Sequence, residues 1–139
     1  MEFLARVRAL VGPGVVIGAE LMRDTFLAPR ILQKRWTDAP EEFEAASPLL
    51  RVTRDAPDFF VLHGAHDTLV SVEQARLFVQ RLKEVSDKSV VYAELPGAQH
   101  AFDLFPSIRS AHVVRAIDRY LHWHWNTWRA GRVPSEEMA

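Results

Sequence analysis

Residues 59–70 read FFVLHGAHDTLV, and this stretch decides the fold of the chain. It opens on a continuous apolar run, Phe59 to Leu62, that stops at His63-Gly64. Such a run is typical of a strand buried on both faces, as in a parallel sheet covered by helices. The sequence therefore predicts a buried parallel strand that leads directly into a loop carrying Asp67.

A helix, a second strand and a second helix follow this strand. Ser71 and Gln74 predict a capping box, and the apolar residues behind it repeat at helical spacing: Ala75, Phe78, Val79, Leu82 and Val85. Residues 89–95 are rich in β-branched and aromatic side chains and predict a strand. An amphipathic pattern then predicts a long helix from about Ser107. This order predicts an α/β fold, with a βαβα unit and a parallel strand pair.

The chain upstream of this unit is helical in character. Residues 1–37 are apolar and basic, and we expect a helical segment there, packed on a core or acting as a lid. Residues 38–139 form the second region. It begins with Asp38 as a helix N-cap and Glu41 three residues later, and the short helix ends before Pro48.

Composition excludes several classes of protein. The 139 residues carry 17 Lys and Arg against 18 Asp and Glu, a formal net charge of −1. Nucleic-acid binding depends on a basic surface, so we expect no nucleic-acid partner. The chain has no cysteine, which excludes disulfides, thiolate metal sites and a cysteine nucleophile.

No apolar run is long enough to span a bilayer. The longest, residues 9–22, is interrupted by Pro13, Glu20 and three glycines, and it is shorter than the roughly 20 residues that a spanning helix needs. The same interruptions make it a poor signal peptide. We therefore expect no membrane span and a cytoplasmic location.

The loops after the two predicted strands hold the candidate site. Parallel strands end at the same edge of a sheet, about 4.8 Å apart, so Asp67 and His100 can meet there despite the 33 positions between them. A carboxylate that orients an imidazole can make it a general base for a nucleophile. Spacing alone leaves open a purely structural hydrogen bond between the two.

Other acids and histidines have simpler interpretations. Asp103 could contact His100, but we favour a role as the cap of the following helix. His63 and His66 could join Asp67 around a metal ion, although an ordinary structural role is favoured for both. The remaining histidines offer no shared site: His122 and His124 lie on different faces of one helix and cannot hold one ion, and His112 is expected on its surface.

Three short motifs resemble a known family. HGAHDTLV at 63–70, VEQA at 72–75 and PGAQHAF at 96–102 resemble the C-terminal part of α/β-hydrolases, especially carboxylesterases of the hormone-sensitive-lipase type. The resemblance covers roughly residues 38–125. It implies that Asp67 is the triad acid and His100 the catalytic histidine. It further implies a small-molecule ester as substrate, and no cofactor or metal.

The nucleophile of that family is absent from these motifs. The family carries its serine in G-x-S-x-G, after an oxyanion-hole segment, and before the acid and histidine in chain order. No serine of this chain lies between such glycines: Ser47, Ser71, Ser86, Ser89, Ser107, Ser110 and Ser135. The resemblance therefore implies the C-terminal section of a longer serine carboxylesterase or lipase. We expect the chain alone to be inactive, and to self-associate or pair with the missing half.

Four alternatives remain open. A prolyl-oligopeptidase-like or a dienelactone-hydrolase-like enzyme has a similar acid-then-histidine tail. The chain could instead be a non-catalytic piece that mediates dimerisation, or an inactive remnant.

The pattern of the aromatic residues near the C-terminus favours core packing plus an interface over a ligand site: Tyr120, Trp123, Trp125 and Trp128. If the protein dimerises as related esterases do, Trp123 is a candidate contact.

Overall fold

The helices and strands follow the predicted order. The computed structural model describes residues 29–30 and 32–131. Its elements are α1 (Pro40–Ala46), a 3-10 helix (Pro48–Arg51), β1 (Phe59–Gly64), α2 (Val72–Val85), β2 (Val90–Leu95) and α3 (Ile108–Ala130). The segment predicted over residues 1–37 lies outside the described residues, apart from 29–30 and 32–37. The chain divides into two compact units at His100, and α3 belongs to the second.

The two strands pair in parallel along their whole length. Phe59 lies opposite Val90, and Gly64 lies opposite Leu95. Helix α2 joins them and buries the residues that its spacing placed on one face: Ala75, Val79 and Leu82. The predicted α/β class and parallel strand pair are therefore confirmed.

The strands are less covered than their apolar sequence predicts. Every residue of β1 before Gly64 is half-buried, so the expectation of a strand buried on both faces is not met within the described residues. The reason is the size of the sheet there, which consists of β1 and β2 alone. Each strand thus has an edge without a strand partner in this part of the chain. Self-association through such an edge remains a prediction.

The start of α1 differs from the prediction. Ala39 occupies the N-cap position and makes no side-chain hydrogen bond there. The carboxylate of Asp38 instead accepts hydrogen bonds from Arg35 Nε at 2.8 Å and from the Thr37 hydroxyl at 2.9 Å. The predicted capping box with Glu41 is therefore wrong, because a charged donor one turn upstream holds the carboxylate. The end of α1 before Pro48 is confirmed.

The other two helices are capped by serines. The Ser71 hydroxyl caps α2 by accepting from the Glu73 amide at 3.3 Å, although Gln74 does not complete the expected box. At α3, Ser107 and Ser110 bond each other reciprocally. Ser107 is thus the cap that the sequence analysis assigned to Asp103, and that assignment is wrong.

Helix α3 buries little of its apolar stripe. Val113 is buried, whereas the tryptophans expected to pack in a core are roughly half-exposed, and Trp125 stacks on Trp128 with ring centroids 4.9 Å apart. His122 bonds the Asp118 carbonyl and His124 lies over Tyr120, so the two histidines make separate contacts as predicted. In the described part of the chain, no helix combines the length and apolar character needed to cross a bilayer.

The carboxyl ends of the strands approach each other closely. The amides of Ala65 and His66 donate to the carbonyls of Leu95 and Ala98, both at 3.0 Å, which extends the strand pairing into the loops. A methyl group on Gly64 would lie only 2.5 Å from the Ala98 carbonyl oxygen. Glycine is therefore required at position 64 for the loops to approach this closely.

We predict that Gly64→Ala destabilises the chain by about 2 kcal/mol, because the clash is with backbone and can only be relieved by moving the loops apart. Urea unfolding followed by circular dichroism measures the effect. Gly131→Ala is the matched control, since its added methyl group would meet nothing closer than 3.7 Å. Equal stability of the two variants would contradict the steric requirement at Gly64.

Candidate active site

Asp67 and His100 meet at the carboxyl edge of the sheet. Asp67 lies three residues after β1 and His100 five residues after β2. The Asp67 Oδ2 atom is 2.9 Å from His100 Nδ1, across 33 positions of sequence. The contact predicted from the strand order is thereby confirmed, because parallel pairing brings both loops to one edge.

The two oxygens of Asp67 have different partners. Oδ1 accepts hydrogen bonds from the amides of Leu69 at 2.9 Å and Val70 at 2.8 Å. Oδ2 is left for His100, and the carboxylate as a whole is only 7% exposed. A short loop that folds back onto its own aspartate thus sets the direction in which the acid faces the histidine.

This arrangement favours the ionised form of Asp67. Burial is the largest single influence and opposes ionisation. The hydrogen bond from Val70, the one from His100 and the one from Leu69 together outweigh it. The pKa of Asp67 is therefore held below its ordinary value, and the residue is a carboxylate at neutral pH.

The contact with Asp67 fixes the tautomer of His100. Because Oδ2 of ionised Asp67 can only accept, His100 Nδ1 carries the proton and donates it to that contact. Nε2 then has a free lone pair. The ring is 43% exposed, so a reacting group can reach it. Gly97 and Ala101, with φ of 67° and 53°, bend the chain on either side.

The two other histidines near the site, His63 and His66, form contacts with the backbone of the protein. His63 is 16% exposed; its Nδ1 lies 3.0 Å from the Gly64 carbonyl oxygen and its Nε2 3.9 Å from Asp67 Oδ2. His66 accepts a hydrogen bond at Nδ1 from the Gly97 amide, 3.1 Å away. Over the described residues, no group of three potential ligands is placed to hold a metal ion. The structural role favoured for both histidines fits these contacts.

A second polar cluster, which the sequence analysis missed, links α2 to β2. Arg76 binds both oxygens of Glu94, at 2.6 and 2.9 Å, and also pairs with Glu73. The Tyr92 hydroxyl donates to Glu94 at 2.9 Å. Burial first, and then the Glu94 carboxylate, raise the pKa of Tyr92 to about 12. Alternation along β2 could have placed Tyr92 and Glu94 on one face, but their bond to Arg76 depends on how α2 packs.

Comparison with protein families finds a match over most of the chain. Residues 9–128 match the family described as the prolyl oligopeptidase family. The matched region contains both strands and both members of the Asp67–His100 pair. No solved structure matches the chain.

Three relatives from Mycobacterium tuberculosis (strain ATCC 25618 / H37Rv) are named as ester hydrolases. The chain is 51% identical over 94 residues to "Probable carboxylic ester hydrolase LipM", 47% over 97 residues to "Esterase LipC" and 44% over 96 residues to "Esterase LipQ". The matches cover 68%, 70% and 69% of this chain but 22%, 24% and 23% of the relatives. The chain therefore spans about a quarter of the length of these curated relatives.

We predict a pH-dependent effect of Asp67→Asn on stability. Because the folded pKa of Asp67 is lowered, its ionised form contributes stability above about pH 4, and this contribution is lost as the pH falls through the folded pKa. The free energy of unfolding should thus differ between wild type and variant by about 2 kcal/mol at pH 7, and by less at pH 3. Urea unfolding at both pH values measures this.

Asp103→Asn is the control for this measurement. Its side chain is exposed, so the substitution should change the free energy of unfolding at pH 7 by less than about 0.5 kcal/mol. A difference for Asp67→Asn that stayed constant from pH 7 to pH 3 would show that ionised Asp67 does not stabilise the fold.

Proposed function

Because the chain belongs to the prolyl oligopeptidase family of α/β-hydrolases, we propose that Asp67 and His100 are the acid and base of a serine ester hydrolase. The nucleophilic serine is contributed by sequence outside these 139 residues. The observation that carries the proposal is the 2.9 Å contact between Asp67 Oδ2 and His100 Nδ1. The esterase names of three relatives support the choice of an ester as substrate.

In the proposed reaction, His100 transfers protons through Nε2. It takes the proton of the serine hydroxyl as that oxygen attacks the ester carbonyl carbon. It then gives the proton to the leaving alcohol as the carbon–oxygen ester bond breaks, which leaves an acyl-enzyme. In the second half, Nε2 takes a proton from water, which attacks the acyl carbon, and returns it to the serine oxygen as the acid is released.

Asp67 keeps His100 in the tautomer that this reaction needs. An asparagine in its place has one oxygen for two tasks. If that oxygen accepts from Leu69 and Val70, the amide NH2 faces His100 and favours a proton on Nε2, where the ring can no longer act as base. If the side-chain amide is turned the other way, its NH2 group faces the backbone amides of Leu69 and Val70, which are also donors, so those hydrogen bonds are lost. The Asp67 loop therefore requires a carboxylate for catalysis.

The family match also supports a second candidate function. Its description names an oligopeptidase, and the same acid and base could serve the hydrolysis of a peptide bond. The mycobacterial relatives favour the ester. Parallel assays with a p-nitrophenyl ester and a prolyl p-nitroanilide separate the two.

We predict that the 139-residue chain alone is inert. It should hydrolyse p-nitrophenyl acetate no faster than its His100→Ala variant, and a fluorophosphonate probe should not label it, because none of its serines lies in a nucleophile turn. Turnover that disappears in His100→Ala would show that a nucleophile is present within these residues.

We predict that Asp67 and His100 support ester hydrolysis when a nucleophile is supplied. In a chimera, residues 38–125 of this chain replace their counterparts in the relative LipM, to which the chain is 51% identical over 94 residues. The chimera should hydrolyse p-nitrophenyl butyrate. His100→Ala and Asp67→Asn should each lower its kcat on the order of 10⁴-fold, with little change in KM.

Controls for the chimera come from the same stretch of chain. Asp103→Asn tests the other acid near His100, and His112→Ala tests an exposed histidine on α3; both should leave kcat within about twofold. Dependence of kcat on Asp103 in place of Asp67 would reassign the acid. An active chimera that is indifferent to His100→Ala would refute the proposed function.

A further inference from the structure

The side chain of His66 links the loop that carries Asp67 to the loop that carries His100. The Gly97 amide donates to Nδ1 of His66 at 3.1 Å. The neighbouring bond, from the His66 amide to the Ala98 carbonyl, is made by backbone and is open to most residues at position 66. The Thr68–Gln99 side-chain bond is longer, at 3.4 Å. Of these three links between the loops, the bond from the Gly97 amide to His66 is therefore the one that depends most directly on the residue at position 66.

The His100 loop is the part of the site that needs this support. Asp67 is already held by the amides of Leu69 and Val70 in its own loop. His100 instead follows a turn through Gly97, and the next residue, Ala101, also has a positive φ. The turn is anchored on its amide side by His66, so movement of that anchor would change the distance between the His100 ring and the carboxylate.

We propose that His66 is a positioning residue, whose Nδ1 anchors the Gly97 turn and so holds His100 Nδ1 against Asp67. The proposal rests on the proposed function only in giving the pair a catalytic role. To accept a hydrogen bond, Nδ1 of His66 must carry no proton, so a neutral ring has its proton on Nε2. His66 itself is exposed.

The bond can be observed directly in the unaltered chain. A hydrogen bond from an amide nitrogen to an imidazole nitrogen transmits a measurable coupling between the two ¹⁵N nuclei. In the uniformly ¹⁵N-labelled 139-residue chain at pH 8, we expect such a coupling between the Gly97 amide and His66 Nδ1. Its absence from a well-resolved spectrum would overturn the proposal without any substitution.

Two variants then test what the bond does. In His66→Asn, Oδ1 stands the same number of bonds from Cβ as Nδ1 does and can accept from Gly97; in His66→Leu, a carbon occupies that place. Long-range ¹H–¹⁵N spectra report the tautomer of His100. We expect the Nδ1–H tautomer to persist in wild type and in His66→Asn, and its population to fall at least twofold in His66→Leu. Gln99→Leu, which removes only the longer link, should match wild type.

An unchanged His100 tautomer in His66→Leu, or equal loss in His66→Asn and His66→Leu, would overturn the proposal. The spectra need neither nucleophile nor substrate, so their result does not depend on whether the proposed function is correct. In the chimera, His66→Leu should lower kcat about tenfold at constant KM, with recovery in His66→Asn. A chimera indifferent to His100 would refute the function while leaving the spectroscopic result intact.

Discussion

The absence of a side chain at Gly64 is the constraint on which the rest of this structure depends. The carbonyl of Ala98 occupies the space that a methyl group would need, 2.5 Å away. Because the backbones can approach, strand pairing continues beyond β1 and β2 through Ala65 and His66. The two loops therefore start from fixed positions, and an acid and a base 33 positions apart in sequence come within one hydrogen bond of each other.

Charge is distributed around this edge so that each group has a defined partner. Asp67 remains ionised despite burial because three donors stabilise it. Glu94, opposite His63 in the strand register, is bound by Arg76 and by the Tyr92 hydroxyl. The hydrogen bond from Arg76, followed by that from Tyr92, lowers the pKa of Glu94. The carboxylate of Glu94 is thus engaged on the α2 side, and that of Asp67 faces His100.

Features that follow from chain order could be predicted from the sequence. The apolar run from Phe59 and the branched residues around Val90 identified both strands, and parallel pairing of the strands then implied that Asp67 and His100 meet. The short motifs around these two residues indicated the hydrolase family, which the comparison over residues 9–128 establishes.

Features that depend on competition between neighbours could not be predicted. Asp38 has the sequence context of a helix cap, yet Arg35 is a stronger partner for its carboxylate. Ser107 and Ser110 satisfy each other, which made Asp103 unnecessary as a cap. The role of His66 follows from where the Gly97 turn places its amide, and the order of the strands does not determine that position.

The way Asp67 is held also bears on the order in which the pair assembles during folding. Its bonds to Leu69 and Val70 close loops of only two and three residues, which cost little chain entropy. The contact with His100 closes a loop of 33 positions and needs β2 to pair with β1. We therefore expect the carboxylate to be oriented before the imidazole reaches it, so that the last step of assembly needs to order only the histidine.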